Sequence, residues 1–142
     1  SHYNLSQLVA KVLINQGSGG DIIFNVTKQA VNPGINFASY GLPKSSLFFL
    51  VKQLALELGK YNIKVNGINA DKIKSGLLNE KLIKTRSKSR GVSKEKYMRG
   101  NLLKKEVLAE DVAKGFLSLV KSKKTTAHVL TVDGGNIEAS LR

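Results

Sequence analysis

The sequence predicts an α/β fold, a parallel sheet flanked by helices, and three observations predict it. Short apolar runs of buried-strand type alternate along the chain with longer stretches of helical periodicity. Strands separated by helices require crossover connections, which build a parallel sheet with helices on its faces. A chain of 142 residues is long enough for one domain with a real core and too short for two ordinary ones. A single domain over 1–142 is therefore expected, with no internal repeat.

Each element has its own signal. Leu5, Leu8, Val9, Val12 and Leu13 recur at the spacing of an amphipathic helix, which Gly17, Gly19 and Gly20 end. Residues 21–26, Asp-Ile-Ile-Phe-Asn-Val, form a first strand, and Asn32-Pro33-Gly34 is turn chemistry. A long helix is expected over 37–59, apolar at Leu47, Leu50, Val51, Leu54 and Leu58, with Phe48 and Phe49 widening the face. Gly59 is its expected stop, and Pro43 removes one backbone donor from its first turns. Residues 64–70 read as a second strand, closely packed at Gly67.

A polar, basic segment follows from 71 to 105, with weak helical stretches at 77–84 and 94–99. Val112, Phe116, Leu119 and Val120 mark another helix that begins near Ala109, with Glu110 and Asp111 at its positive end. Residues 127–132 are a third strand, closed by Asp133-Gly134-Gly135, and His128 on it reads as structural.

Bulk properties bound the function. The net charge of +13 favours anionic partners without choosing among them. It is concentrated between Lys81 and Lys105, where ten Lys or Arg residues face Glu95 within the stretch and Glu106 just past it. This supports a second reading, a non-enzymatic module that binds nucleic acid or another polyanion through 81–105. Tyr97 is the one aromatic there, so the stacking platforms of a single-strand binder are absent and nucleic acid is disfavoured. The lack of cysteine excludes disulfides and thiolate metal sites and fits a reducing compartment. No apolar run approaches about 18 residues and no leader pattern opens the chain, so a cytoplasmic protein with no membrane partner is expected. Asp71, Glu110 and Asp111 do not make a metal constellation.

The residues that carry chemistry are Tyr40 and Lys44, four apart, with Thr27 thirteen residues before the tyrosine. On a helix that spacing stacks phenol and ammonium one turn apart on one face. A lysine held there favours phenolate and eases proton transfer through the tyrosine oxygen. A Thr hydroxyl at the end of the preceding strand could hold a substrate oxygen.

Four ordered motifs resemble the short-chain dehydrogenase/reductase family across essentially the whole chain. Tyr40-x-x-x-Lys44 resembles its catalytic pair, and Thr27 stands where that family carries a serine. Ala70-Asp71-Lys72-Ile73-Lys74-Ser75 falls where the family writes Pro-Gly-x-Val/Ile-x-Thr. Ala109-Glu110-Asp111-Val112-Ala113 is similar to its Pro-Glu-Asp-Val-Ala helix start, and Leu130-Thr131-Val132-Asp133-Gly134-Gly135 to its last strand and turn. Within the family, Val31-Asn32-Pro33-Gly34-x-Asn36-Phe37 and Gly134-Gly135-Asn136 are similar to the dehydrogenase part of bifunctional rhamnulose-phosphate aldolase/lactaldehyde dehydrogenases and to sorbitol-6-phosphate dehydrogenases.

The resemblance implies the C-terminal half of a doubly wound Rossmann-type parallel sheet, about three strands with flanking helices. It implies an NAD(P)-dependent oxidoreductase acting on a small alcohol, carbonyl or sugar-phosphate-derived substrate. Thr27, Tyr40 and Lys44 would be catalytic; Tyr40, Lys44, Ile73 and Ser75 would bind NAD or NADP. The 76–106 segment would be the substrate lid, suited to a phosphorylated small molecule or left as a solvated face. The two long helices would pair between subunits of a homo-oligomer. The glycine-rich cofactor turn of the family is not in this sequence, so the chain by itself is expected to be inactive and to bind no cofactor. Three departures stand out. The methyl of Thr27 narrows the pocket, Ala70-Asp71 places a carboxylate near the cofactor position, and Ser75 replaces threonine.

Overall fold

The computed structural model describes residues 2–137; Ser1 and 138–142 of the expected 1–142 domain lie outside the described residues. The chain runs α1 (His2–Gln16), β1 (Gly20–Asn25), α2 (Ala38–Leu58), β2 (Ile63–Ala70), β3 (Ile73–Lys74), α3 (Glu80–Ser89), α4 (Lys94–Arg99), β4 (Val107–Leu108), α5 (Ala109–Lys121) and β5 (Val129–Val132). The main sheet is parallel, in the order β1-β2-β5, with Ile22 opposite Val65 and Ile68 opposite Leu130. This is the α/β architecture expected, with helices on both faces.

β2 is the centre of that sheet. Seven of its eight residues are buried, because its neighbours pair both edges and helices cover both faces. On one face α2 sets Leu47, Val51, Leu54, Ala55 and Leu58 against Ile22, Phe24, Ile63 and Val65. On the other face α5 sets Val112 and Leu119 against Ile68 and Ala70. Gly67 allows the closest approach: a Cβ there would lie 3.2 Å from Val26, 3.3 Å from Val129 and 3.4 Å from Val51. Two polar side chains of β2 are matched. The buried amide of Asn66 donates to the Thr125 carbonyl at 2.9 Å and accepts from the His128 N–H at 3.1 Å. The Lys64 ammonium pairs with Asp21 at 2.9 Å and donates to the Leu119, Val120 and Ser122 carbonyls at the C-terminus of α5, where a cation offsets the helix dipole.

Several expectations are corrected. α1 does not bury its regular apolar stripe. Leu5, Leu8 and Val12 are 64%, 60% and 55% exposed, while the small residues Ser6 and Ala10, with Leu13 and Ile14 alongside, meet the core. Small side chains let the helix lie close to the sheet, and the larger stripe faces away. Phe49 likewise points outward, 69% exposed, instead of widening the core face of α2. The α-helix does end at Leu58 with Gly59 as its cap, but Gly59 keeps a helical backbone (φ −57°, ψ −36°); a short 3₁₀ turn Gly59–Tyr61 follows, and Asn62 takes the left-handed conformation (φ 57°, ψ 32°) that ends it. The third strand begins at Val129, so His128 sits just before it and is exposed.

The basic segment is more ordered than its composition suggests. α3 starts at Glu80, later than expected, because the Asn79 side chain caps it by accepting from the Leu82 N–H at 3.0 Å. Ser93 caps α4 in the same way through the Lys96 N–H. Leu78, Ile83, Tyr97 and Met98 form a small third core between the two helices. β3 and β4 pair in parallel, Ile73 opposite Val107, and tie the two ends of the segment together. Strands of two residues leave no sequence periodicity to read. Among the described residues no helix is long and apolar enough to cross a membrane.

Leu54, nearly fully buried against the sheet, sets a direct test of this packing: Leu54→Ala should lower unfolding stability by about 2–5 kcal/mol. Gly67→Leu should cost about 1–3 kcal/mol through overpacking. Urea denaturation followed by far-UV circular dichroism measures both.

Candidate active site

The C-terminal ends of β1 and β2 open into a cleft of about 600 Å³, where open parallel sheets commonly hold ligands. Thr27, Tyr40, Ile73 and Ser75 all line it. Thr27 follows β1 in an extended conformation, half-buried, and its hydroxyl makes no capping bond to the 3₁₀ turn Lys28–Ala30 after it. Tyr40 lies in the first turn of α2, beside Phe37 in an edge contact with ring centroids 6.3 Å apart. The hydroxyls of Thr27 and Tyr40 have no hydrogen-bond partner among the described residues, so both remain available to a ligand in the shared cleft.

Lys44 is not among the residues lining the cleft. Its ammonium donates to the Asn25 carbonyl at 2.9 Å, which fastens α2 to the last residue of β1. Burial lowers its pKa from the ordinary lysine value, since a desolvated ammonium loses its charge more readily. Ile73 packs into the second core as part of β3, and the Ser75 hydroxyl accepts from the Leu78 N–H at 3.4 Å in the turn before α3. Both thus have packing or turn roles while they line the cleft.

Lys72, Arg86 and Arg90 make another part of the cleft wall cationic, with Lys28 and Asn136 beside it. Lys28, only 7% exposed, lies 3.4 Å from the Asp71 carboxylate, and Lys72 lies 3.7 Å from the same oxygen. Asn136 donates to that oxygen at 2.7 Å. The extra carboxylate of Asp71 is therefore neutralised by its own neighbours. Lys72 and Arg90 both approach the buried ring of Tyr97, at 5.3 and 5.2 Å from its centroid, and Arg86 lies 6.0 Å from that of Phe37. Desolvation lowers the Lys72 pKa; Asp71 opposes this, while the charges of Lys28 and Arg90 push it further down.

The basic composition of 81–105 pointed to Arg86 and Arg90, and the departure at Asp71 pointed to that acid. Lys72 and Asn136 fell inside quoted motifs that gave them no role, and Lys28 carried no signal, because nothing in a local pattern says that a lysine after Thr27 will be buried. The Asp133-Gly134-Gly135 turn places Asn136 there: the Asp133 carboxylate accepts from the Gly135 N–H at 2.8 Å, and both glycines have positive φ.

Comparison with known proteins supplies the context. The family model described as enoyl-(acyl carrier protein) reductase matches residues 1–136. The 7alpha-hydroxysteroid dehydrogenase of Escherichia coli K12 is 29% identical over 141 residues, covering 97% of this chain and 52% of that protein. The L-xylulose reductase of Mesocricetus auratus is 33% identical over 135 residues, covering 92% of this chain and 52% of that protein. The crystal structure of acetoin dehydrogenase from Enterobacter cloacae superposes with a TM-score of 0.75 at 27% identity, covering 95% of this chain and 50% of that one. The chain spans about half the length of the curated relatives it matches.

The ion cluster sets a stability test. Asp71→Ala leaves Lys28 buried without its counter-charge and should lower stability by about 3 kcal/mol. Lys28→Met in the Asp71→Ala background should recover most of that loss, as read by thermal unfolding of the two variants.

Proposed function

Since this chain belongs to the short-chain dehydrogenase/reductase family over residues 1–136, we propose that it carries the catalytic side of an NAD(P)-dependent oxidoreductase. The reaction is interconversion of an alcohol and a carbonyl on a small molecule. The observation that carries the proposal is the convergence of Thr27 and Tyr40, both with unengaged hydroxyls, on one cleft at the C-terminal ends of β1 and β2.

In this reading the Thr27 hydroxyl donates to the substrate oxygen and holds it near the Tyr40 Oη. Tyr40 moves the proton: it gives one to the oxygen during reduction and removes one during oxidation. Lys44, fixed by the Asn25 carbonyl, places a positive charge one helical turn from the phenol. Lys44, Ile73 and Ser75 would hold the nicotinamide cofactor, which supplies the hydride donor or acceptor when bound. The open cleft lined by Ile73 and Ser75 fits such a group. The 76–106 segment serves as the lid, a role consistent with Leu77, Leu78, Leu82 and Arg86 lining the same cleft. Sugar-phosphate-derived compounds are the substrate class that suits this cationic lid.

The protein also self-associates in this reading, through α1 and α2. Leu5, Leu8 and Val12 on α1 and Leu42, Phe49 and Leu56 on α2 are exposed apolar side chains in the single chain, and large exposed patches of this kind mark association surfaces.

Two measurements test these statements. Tyr40→Phe should lower kcat by about 10²- to 10⁴-fold in a nicotinamide absorbance assay of a protein that carries this chain together with a nicotinamide-binding half, with Thr27→Ser active and Thr27→Val impaired. Wild-type activity in Tyr40→Phe would refute the assignment. Leu8→Glu should shift the light-scattering mass toward monomer with little change in thermal stability, since Leu8 is exposed in the single chain. An unchanged mass would rule out α1 as the interface.

A further inference from the structure

The cations around Tyr97 are arranged as a receptor more than as a scatter of surface charge. Lys72 and Arg90 approach one buried ring from 5.3 and 5.2 Å. That ring belongs to the small core of the 76–106 segment, so its position is fixed by packing against Leu78, Ile83 and Met98. Among the described residues neither Arg86 nor Arg90 has a carboxylate within 4.0 Å. Asp71 is the one acid in the group, and Lys28 and Asn136 already engage the oxygen that Lys72 approaches.

Lys72, Arg90 and Tyr97 also form the common wall between the cleft of Thr27 and Tyr40 and a neighbouring cleft of about 480 Å³. That second cleft adds Lys28 and Lys96 and has no acid among the described residues that line it. Like charges gathered in a partly desolvated place repel one another, and the depressed pKa of Lys72 has Lys28 and Arg90 among its causes. An anion entering there removes that repulsion. It gains charge-assisted hydrogen bonds as well, with the planar fork of Arg90 able to take two oxygens at once.

We propose that Lys72 and Arg90, seated on the Tyr97 ring, bind the carboxylate or phosphate group of the substrate. The proposal rests on the dehydrogenase reading for what happens at the other end of the molecule. The reacting carbinol or carbonyl lies at Thr27 and Tyr40, the anionic group lies at the wall shared by the two clefts, and the substrate is an anionic hydroxy or oxo compound. Tyr97 is a positioning residue: it holds the two cations together, and its own hydroxyl takes no part.

The test is a titration of the protein with inorganic phosphate and, separately, acetate, read by calorimetry at low ionic strength. Wild type should bind at least one of them saturably. Arg90→Gln and Lys72→Gln should each weaken that binding by tenfold or more, while Lys124→Gln, on the exposed surface away from both clefts, should leave it unchanged. Tighter binding of phosphate identifies a phosphoester and tighter binding of acetate a carboxylate; either supports the subsite. Absence of saturable binding, equal binding in wild type and Arg90→Gln, or an equal loss in Lys124→Gln would overturn it. Tyr40→Phe should not change the titration, because the phenol does not touch the anion. Loss of turnover in that variant tests the dehydrogenase reading separately, so the two ideas fail by different results.

Discussion

Burial of β2 on both faces and along both edges is the constraint from which the other features follow. A strand so enclosed can expose no backbone polar group, so β1 and β5 must pair with it, and α2 and α5 must cover it. The tight spot at Gly67 sets how closely β1, β5 and α2 approach. Once those spacings are fixed, the strand ends that carry Thr27 and Asp71, and the helix start that carries Tyr40, must meet around one cleft. The site is a consequence of the core, and a looser core would blur it.

Charge is handled differently in two parts of the site. Lys44, one helical turn from Tyr40, is tied down by a backbone carbonyl. At the cationic part of the cleft wall several cations crowd around a single acid, and two of them rest on an aromatic ring. A cation over a ring retains much of its attraction for an anion; of the two here, Arg90 has no carboxylate within 4.0 Å among the described residues, while Lys72 shares Asp71 with Lys28. The excess of basic residues, which in composition looked like a general affinity for polyanions, is thus partly gathered at a defined place. Its small scale suits a single anionic group better than an extended nucleic acid backbone. The family model matched over residues 1–136 belongs to the short-chain dehydrogenase/reductase family.

The strong repeats of the sequence set the fold, and its special residues set most of the site. The short apolar run within 21–26 is read as a buried strand, and 64–70 as a second strand closely packed at Gly67. The apolar spacing of 37–59 and the acids at 110–111 are read as helix signals for equally local reasons. Thr27, Tyr40, Ile73 and Ser75 are identified by type, spacing and resemblance, and the structure places all four on one cleft.

What only tertiary structure decided are the choices that periodicity leaves open. A helical stripe shows which residues share a face but not whether the sheet or another molecule covers it; at α1 the small residues Ser6 and Ala10 won the sheet and the leucines were left outside. A glycine allows a left-handed stop but does not require one, and Asn62 took that role from Gly59 because the chain first needed another turn to reach β2. Two-residue strands have no period at all, so β3 and β4 exist only because the fold brings them together. The pairing of Lys28, Asp71 and Asn136, up to 108 residues apart, has the same origin. Local sequence determines which conformations are cheap, and long-range packing determines which surfaces and charges meet.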